Sequence, residues 1–202
     1  MNVMKIIFAT NNAHKLQEVQ QILGPAYELV TPRQCGVTEE IPEEQETLEG
    51  NALQKARYLY ERTGLDCFAD DTGLEVRALG GAPGVHSARY ATQGHDFEAN
   101  RQLLLRNLEG VTDRAARFRT AVALILDGRE YLFEGEVRGE ITTAPAGEGG
   151  FGYDPLFRPE GHEETFAQMS PEAKNSISHR GRAVAKLAAF LTEHGASYKT
   201  DR

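Results

Sequence analysis

Apolar residues follow two periodicities along the chain, and the early segments alternate between them. Short apolar runs of strand length occupy residues 5–9 and 27–30. Each is followed by a stretch in which apolar residues recur every three or four positions, the spacing of a helix with one buried face. Asn12 and Thr47 have the side chains of helix N-caps, so the sequence predicts a helix after each of them.

The second half of the chain adds a hairpin to this alternation. Residues 118–126 and 130–141 are predicted strands joined at Asp127-Gly128, a strong signal for a tight β-turn. Helices are predicted over 97–108, from Ser170-Pro171 onward and after Ser178. Alternating strands and helices followed by a hairpin predict a single α/β domain, residues 1–202, built on a mixed sheet.

Two adjacent acids interrupt the third apolar run. Asp70 and Asp71 follow residues 67–69, and Gly73 comes soon after. The sequence predicts that a strand ends on the acid pair and then turns, which would place both carboxylates at a sheet edge. Carboxylate oxygens are the ligands that Mg²⁺ prefers, and a carboxylate pair can also move a proton in acid–base catalysis.

Composition and charge narrow the function classes. The chain has 202 residues, 40% hydrophobic content and a net charge of −8, which is typical of a globular protein and argues against a nucleic-acid binder with a basic face. Two cysteines give no disulfide framework. The N-terminus has no signal-peptide pattern, and no apolar run approaches the roughly 20 residues of a membrane span. We therefore expect a cytoplasmic protein that contacts neither membrane nor nucleic acid.

A second candidate site follows the first strand. Thr10-Asn11-Asn12 leads into a helix that carries Lys15 in its first turn, and backbone N–H groups at a helix start attract phosphate. No P-loop pattern is present. An ordinary Asn cap beside a solvated lysine is the plain alternative, as a surface lysine is for Lys55 on the next helix.

The glycine-rich segment 147–152 matches G-x-G-x-x-G by its letters. Weak strand character precedes it and Tyr153-Asp154-Pro155 follows where a helix should begin, so we reject a dinucleotide site. Glycines on both sides leave a face of Phe151 available to stack on a nucleobase, with Asp154 near the base edge. The alternative is a hydrophobic plug beneath a loop.

Two further motifs carry candidate chemistry. His179 and Arg180 lie at a predicted helix start, where they are either base or phosphate donors or plain surface cations. Asp71-Thr72-Gly73 spells the aspartic-protease triplet, but that reaction needs a second triplet or a homodimer, and Asp70 occupies a place that is usually apolar.

Taken together, the segments A-D-D-T-G-L-E-V, A-L-G-G-A-P-G-V-H-S-A-R-Y, G-G-F-G-Y-D-P-L-F and S-H-R-G-R-A are far more specific than any one of them. With them the chain resembles the inosine triphosphate pyrophosphatase family from about Lys5 to His194. The resemblance implies a long mixed sheet flanked by helices, with two lobes around a central cleft, and a homodimer. It also implies Mg²⁺-dependent hydrolysis of ITP, dITP, XTP and dXTP to monophosphate and pyrophosphate.

The resemblance also implies roles for individual residues. Asp71 would be the proton acceptor, and Asp71, Asp70 and Glu43 the metal ligands. The implied substrate contacts are Thr10, Asn11, Asn12, Lys15, Lys55, Thr72, Phe151, Gly152, Tyr153, Asp154, Lys174, His179 and Arg180.

The chain departs from the family pattern at two positions. Asn11 stands where the family usually has Gly, and Gly50 stands where it usually has Glu. Two alternatives in neighbouring classes stay open: a Maf-like pyrophosphatase that acts on modified pyrimidine nucleotides, and a purine-nucleotide sensor without catalysis. Only the enzymes need the paired aspartates.

Overall fold

The computed structural model describes residues 3–194 as a mixed α/β structure, which confirms the predicted fold class. Within that range the helices are α1 Ala13–Leu23, α2 Leu48–Thr63, α3 Phe97–Asn107, α4 Pro171–Ile177 and α5 His179–His194. The strands are β1 Met4–Phe8, β2 Tyr27–Val30, β3 Cys67–Val76, β4 Pro83–Gly84, β5 Ala115–Leu126, β6 Arg129–Ile141 and β7 Phe157–Pro159.

All seven strands belong to one sheet. Its main path has the order β2-β1-β3-β5-β6-β7, and β4 pairs with β3 off this path. β1 is parallel to β2 and β3, whereas β4 is antiparallel to β3 and β7 to β6. β3 is therefore an interior strand.

The acid pair lies within β3, so two expectations about it are wrong. The strand runs unbroken from Cys67 to Val76 instead of ending at Asp70-Asp71. The pair also lies in the middle of the sheet and not at an edge. The sequence suggested a turn because buried acids are rare, and they are tolerated in a strand only when they are paired.

Local capping chemistry explains the helix boundaries. The side chains of Asn12, Thr47 and Ser170 each accept a backbone N–H at the start of α1, α2 and α4. The predicted hairpin turn is also confirmed, because Asp127 has φ 51° and Gly128 has φ 71°, the positive values of a tight turn that matches strand twist.

The chain divides into two compact units. Among the described residues, the first contains residues 3–71, Ala121–Gly135 and residues 180–194; the second contains Thr72–Thr120 and Glu136–His179. Each unit has its own apolar core. Phe8, Phe68 and Leu187 belong to the first core, whereas Phe118, Leu156 and Phe166 belong to the second. Apolar burial of this kind is the main stabilising contribution to each unit.

Among the described residues, no helix is both long enough and apolar enough to cross a bilayer.

Candidate active site

β3 directs Asp70 and Asp71 to opposite faces, because side chains alternate along a strand. Both residues are buried, with exposed fractions of 1% and 8%. The alternation explains why the two carboxylates have different hydrogen-bond partners although they are neighbours in sequence.

Asp70 accepts hydrogen bonds from two cationic side chains. Lys15 Nζ lies 3.2 Å from Oδ1 and Arg180 Nε lies 3.2 Å from Oδ2. Arg180 is itself almost fully buried, and its Nη1 donates to Glu18 at 2.6 Å. Burial alone would raise the pKa of Asp70, but Lys15 and Arg180 hold that pKa well below its usual range. The two cations therefore favour the ionised form of Asp70.

Asp71 has a different environment. Asn51 Nδ2 donates to its Oδ2 at 3.1 Å. Burial raises the pKa of Asp71 above its ordinary value, against the opposing charges of Lys55 and Lys15. A carboxylate with a raised pKa is a stronger base, which suits a group that removes a proton from water.

Lys55 connects the acid pair to the acidic loop before α2. Its Nζ donates to the backbone oxygen of Asp70 and to Glu43 Oε1, each at 2.6 Å. Burial alone would lower the pKa of Lys55, but Asp71, Glu43 and Asp70 together raise it. Lys55 is buried, so the plain alternative of a surface lysine is wrong.

The loop between β1 and α1 is organised by its own side chains. Asn12 Oδ1 accepts the backbone N–H groups of His14 and Lys15, and Thr10 Oγ1 accepts that of Asn12. Among the non-glycine residues that the structure describes, Asp127 alone has a positive φ, so Asn11 needs no left-handed backbone. The Asn in place of the family's usual Gly therefore introduces no strain.

The second unit holds the predicted base-stacking segment. Asp154 Oδ2 accepts the backbone N–H of Phe151 at 3.0 Å and the ammonium of Lys174 at 2.6 Å. Lys174 Nζ also lies 5.1 Å from the centre of the Phe151 ring, within the range of a cation–π contact. The structure thus brings Phe151, Asp154 and Lys174 together.

Several residues that the sequence did not reveal fix this segment. Arg101 on α3 donates to the backbone oxygen of Gly152 at 2.8 Å, and the Tyr153 hydroxyl donates to that of Ser87 at 2.7 Å. The Phe97 ring packs against the Phe151 ring with centroids 6.0 Å apart. The position of Arg101 and Phe97 on one helix face is the signal that could have found them.

The glycines before Phe151 are required by close packing. A Cβ at Gly147 would lie 2.5 Å from the backbone carbon of Ala167, and one at Gly149 would lie 2.9 Å from its oxygen. Asp154–Leu156 forms a short 3-10 turn where a dinucleotide site would need a helix start. The rejection of a dinucleotide site agrees with this geometry.

Two further predicted residues lie in the second unit. The Thr72 hydroxyl is 2.7 Å from that of Thr120, which is almost fully buried. His179 stacks on Phe118 with centroids 4.5 Å apart. The division into units falls between Asp71 and Thr72 and again between His179 and Arg180.

An open groove of about 970 Å³ in the second unit contains none of the predicted site residues. Its arginines and acids pair with one another, as in Arg77–Asp113, Arg117–Glu75 and Arg158–Glu140. The groove therefore has no strong excess of either charge.

Solved structures of Ham1 proteins share this fold. The Staphylococcus aureus Ham1 protein matches with a TM-score of 0.85 at 38% identity, over 94% of this chain and 98% of that one. A HAM1 protein from Coxiella burnetii matches with a TM-score of 0.86 at 38% identity, over 95% of this chain and 100% of that one.

Similarity in sequence also extends over nearly the whole chain. The Ham1 family profile matches residues 6–190, and the chain belongs to that family. A dITP/XTP pyrophosphatase of Porphyromonas gingivalis is 54% identical over 188 residues, which are 93% of this chain and 97% of that protein. One from Flavobacterium johnsoniae is 47% identical over 189 residues, 94% of this chain and 98% of that protein. The resemblance drawn from the motifs is confirmed.

Proposed function

We propose that this protein hydrolyses deaminated purine nucleoside triphosphates, dITP and XTP among them, to the monophosphate and pyrophosphate. The observation that carries the proposal is the buried Asp70–Asp71 pair, in which one acid is neutralised by two cations and the other is kept basic by burial. The dITP/XTP pyrophosphatase relatives supply the substrate class. They give no support to the Maf-like alternative.

The roles in bond cleavage follow from the charges in the first unit. Asp71 accepts the proton of the attacking water, for which its raised pKa suits it. Lys15 and Lys55 stabilise the negative charge that grows on the leaving pyrophosphate. Each lysine has a carboxylate partner, Asp70 or Glu43, that holds it in place before substrate arrives.

The donor set also fits Mg²⁺. No group of three or more His, Cys, Asp or Glu side chains within residues 3–194 forms a ready metal cage. Mg²⁺ instead commonly takes one or two carboxylates, with substrate phosphates and water completing its coordination. We assign the ligands to Asp71 and Glu43, which both lie beside Lys55. Both Asp70 oxygens accept from cations, so its role as a ligand stays a prediction. When bound, Mg²⁺ would polarise the α-phosphate.

Base recognition is assigned to the second unit. Phe151 stacks on the purine, and Lys174 and His179 supply donors for its edge. Deaminated purines have an oxygen at ring position 6 where adenine has an amino group, so donors there favour hypoxanthine and xanthine. Arg180, also predicted to contact the substrate, donates instead to Asp70 and Glu18, which supports a role in fixing the acid pair.

A substrate panel tests this function. Pyrophosphate release is measured with ITP, dITP, XTP, GTP, ATP and a modified UTP, each with Mg²⁺. We expect turnover of the first three and far slower reaction of the others. Preference for the modified pyrimidine would replace this function with the Maf-like one, and tight binding without turnover would favour a sensor.

We further propose that the protein acts as a cytoplasmic homodimer. This rests on the family resemblance, and sedimentation equilibrium of the full chain tests the oligomeric state.

A further inference from the structure

One buried amide contacts both the proposed proton acceptor and the acidic loop. Asn51, in the first turn of α2, is 4% exposed. Its Nδ2 donates to Asp71 Oδ2 at 3.1 Å, and its Oδ1 accepts the backbone N–H of Gln45 at 2.8 Å. Both functional ends of the side chain are therefore used, one by β3 and one by the loop.

The neighbouring positions on α2 hold the same loop. Gln54 accepts the backbone N–H of Glu44 at 2.9 Å and donates to its carboxylate at 3.1 Å. Lys55 donates to Glu43. Residues three and four apart share one helix face, so Asn51, Gln54 and Lys55 contact three consecutive loop residues. Of the two side-chain amides, that of Asn51 also donates a hydrogen bond to Asp71, whereas the hydrogen bonds of Gln54 go to the loop.

Gly50 permits this close approach. A Cβ there would lie 2.9 Å from both the Gln45 Cβ and the Thr47 Oγ1. The Gly in place of the family's usual Glu therefore lets the loop pack directly against the start of α2, where Asn51 reaches the Gln45 backbone.

We propose that Asn51 is a positioning residue that orients the Asp71 carboxylate and couples it to the loop that carries Glu43. This rests on the proposed function, in which Asp71 accepts a proton. With Oδ2 held by the amide, the carboxylate cannot rotate freely, and its other oxygen keeps a fixed direction. Because the same amide fixes Gln45, the two proposed magnesium ligands are set relative to one another before any ion or nucleotide binds.

Three variants distinguish the hydrogen bond from Asn51 to Asp71 from the hydrogen bond that Asn51 accepts from Gln45. Asn51→Asp has nearly the same shape and keeps an acceptor for Gln45 N–H, but it loses the donor to Asp71. Asn51→Leu loses both bonds without adding charge. Gln54→Leu is the matched control, since it releases the loop at Glu44 and leaves Asp71 untouched.

Two measurements are made on each variant. The first is steady-state kinetics with dITP, and the second is amide hydrogen exchange of the protein without metal or nucleotide. Loss of a partner that orients a ligating carboxylate commonly costs about 10–100-fold in activity. We expect that fall in kcat, with little change in KM, for both Asn51 variants. Exchange at the Gln45 amide should accelerate in Asn51→Leu and stay near wild type in Asn51→Asp. The control should exchange faster at Glu44 and retain wild-type kcat.

Wild-type kcat in both Asn51 variants would overturn the positioning role. A fall in Gln54→Leu as large as in Asn51→Leu would overturn it too, because loop anchoring alone would then explain the loss. Unchanged exchange at Gln45 in Asn51→Leu would refute the coupling to the loop. Failure of the proposed function is distinguishable, because a wild-type protein that is inactive on every nucleotide would still give the exchange result.

Discussion

Lys174 Nζ lies 2.6 Å from Asp154 Oδ2, and both side chains are only 5% exposed. A buried ion pair of this kind is costly to break on one side, because the remaining charge has no compensation; the loss is commonly about 3–5 kcal/mol. We predict that Lys174→Met destabilises the protein by about that amount, as measured by urea unfolding.

The double variant Lys174→Met/Asp154→Asn is the control for this prediction. It buries no uncompensated charge, and the Asn oxygen can still accept the Phe151 N–H. Its stability should exceed that of Lys174→Met alone. If the loss of stability in the double variant equals the sum of the losses in Lys174→Met and Asp154→Asn, the pair is not coupled.

Asp71→Asn should abolish most turnover while nucleotide still binds. The amide cannot accept the proton of water, and general-base catalysis is worth about 10²–10⁴-fold. Pyrophosphate release gives the rate and calorimetry gives the affinity. Asp113→Asn, which alters an exposed ion pair with Arg77 in the second unit, should leave both unchanged. Near-normal turnover of Asp71→Asn would remove Asp71 from the reaction.

Phe151→Leu should chiefly raise KM. Stacking of a base on an aromatic ring is worth about 1–3 kcal/mol, and leucine keeps the bulk of the side chain but has no π-face. Phe151→Tyr keeps the ring and should retain a KM close to that of wild type. If the leucine variant binds dITP as tightly as wild type does, Phe151 is a packing residue.

Removal of divalent metal should stop the reaction. With EDTA present we expect no pyrophosphate release, and excess Mg²⁺ should restore it, because the carboxylates of Asp71 and Glu43 repel the anionic triphosphate unless a divalent cation lies between them. Activity that persists after chelation would exclude the assigned magnesium ligands. Loss of activity that Mg²⁺ fails to restore would point to a different ion.

We predict that the buried thiol of Cys67 lowers the free energy of unfolding at alkaline pH. Burial, with a smaller effect from Asp66, raises the pKa of this thiol to about 12. The thiol of an unfolded chain has a pKa of about 8.5. Below that pH both states are protonated and the thiol adds no pH dependence; between the two values only the unfolded state ionises, so the free energy of unfolding falls as pH rises.

The slope from this one group is at most about 1.4 kcal/mol per pH unit. Cys67→Ala should lack it when unfolding is measured from pH 8 to pH 11. Equal alkaline slopes in the two proteins would contradict the raised pKa. Native Cys67 should also resist alkylation in a Cys35→Ala background, since the buried side chain stays protonated.

The sequence was informative wherever local chemistry decides the structure. Asn12 and Thr47 have the side chains of N-caps, and Asp127-Gly128 has the φ preferences of a tight turn, so these features were predictable residue by residue. The Phe151–Asp154 segment was singled out for a similar reason, since its residue types lie close together in the chain.

Long-range partners decided the rest. From their neighbours in sequence alone, Asp70 and Asp71 are predicted to lie where a strand ends and the chain turns. They form part of a buried strand because Lys15 and Arg180 reach one of them, and Asn51 the other. Arg180 is 110 positions from Asp70, and no periodicity in the sequence connects them.

The tight fit of Gly147 and Gly149 against Ala167 affects how variation in this loop should be interpreted. Any side chain at either glycine would collide with main-chain atoms, so replacements there will be rejected whether or not a nucleotide is ever bound. Intolerance to mutation at these two positions is therefore a measure of folding, whereas a change in the Phe151 ring is a measure of ligand recognition.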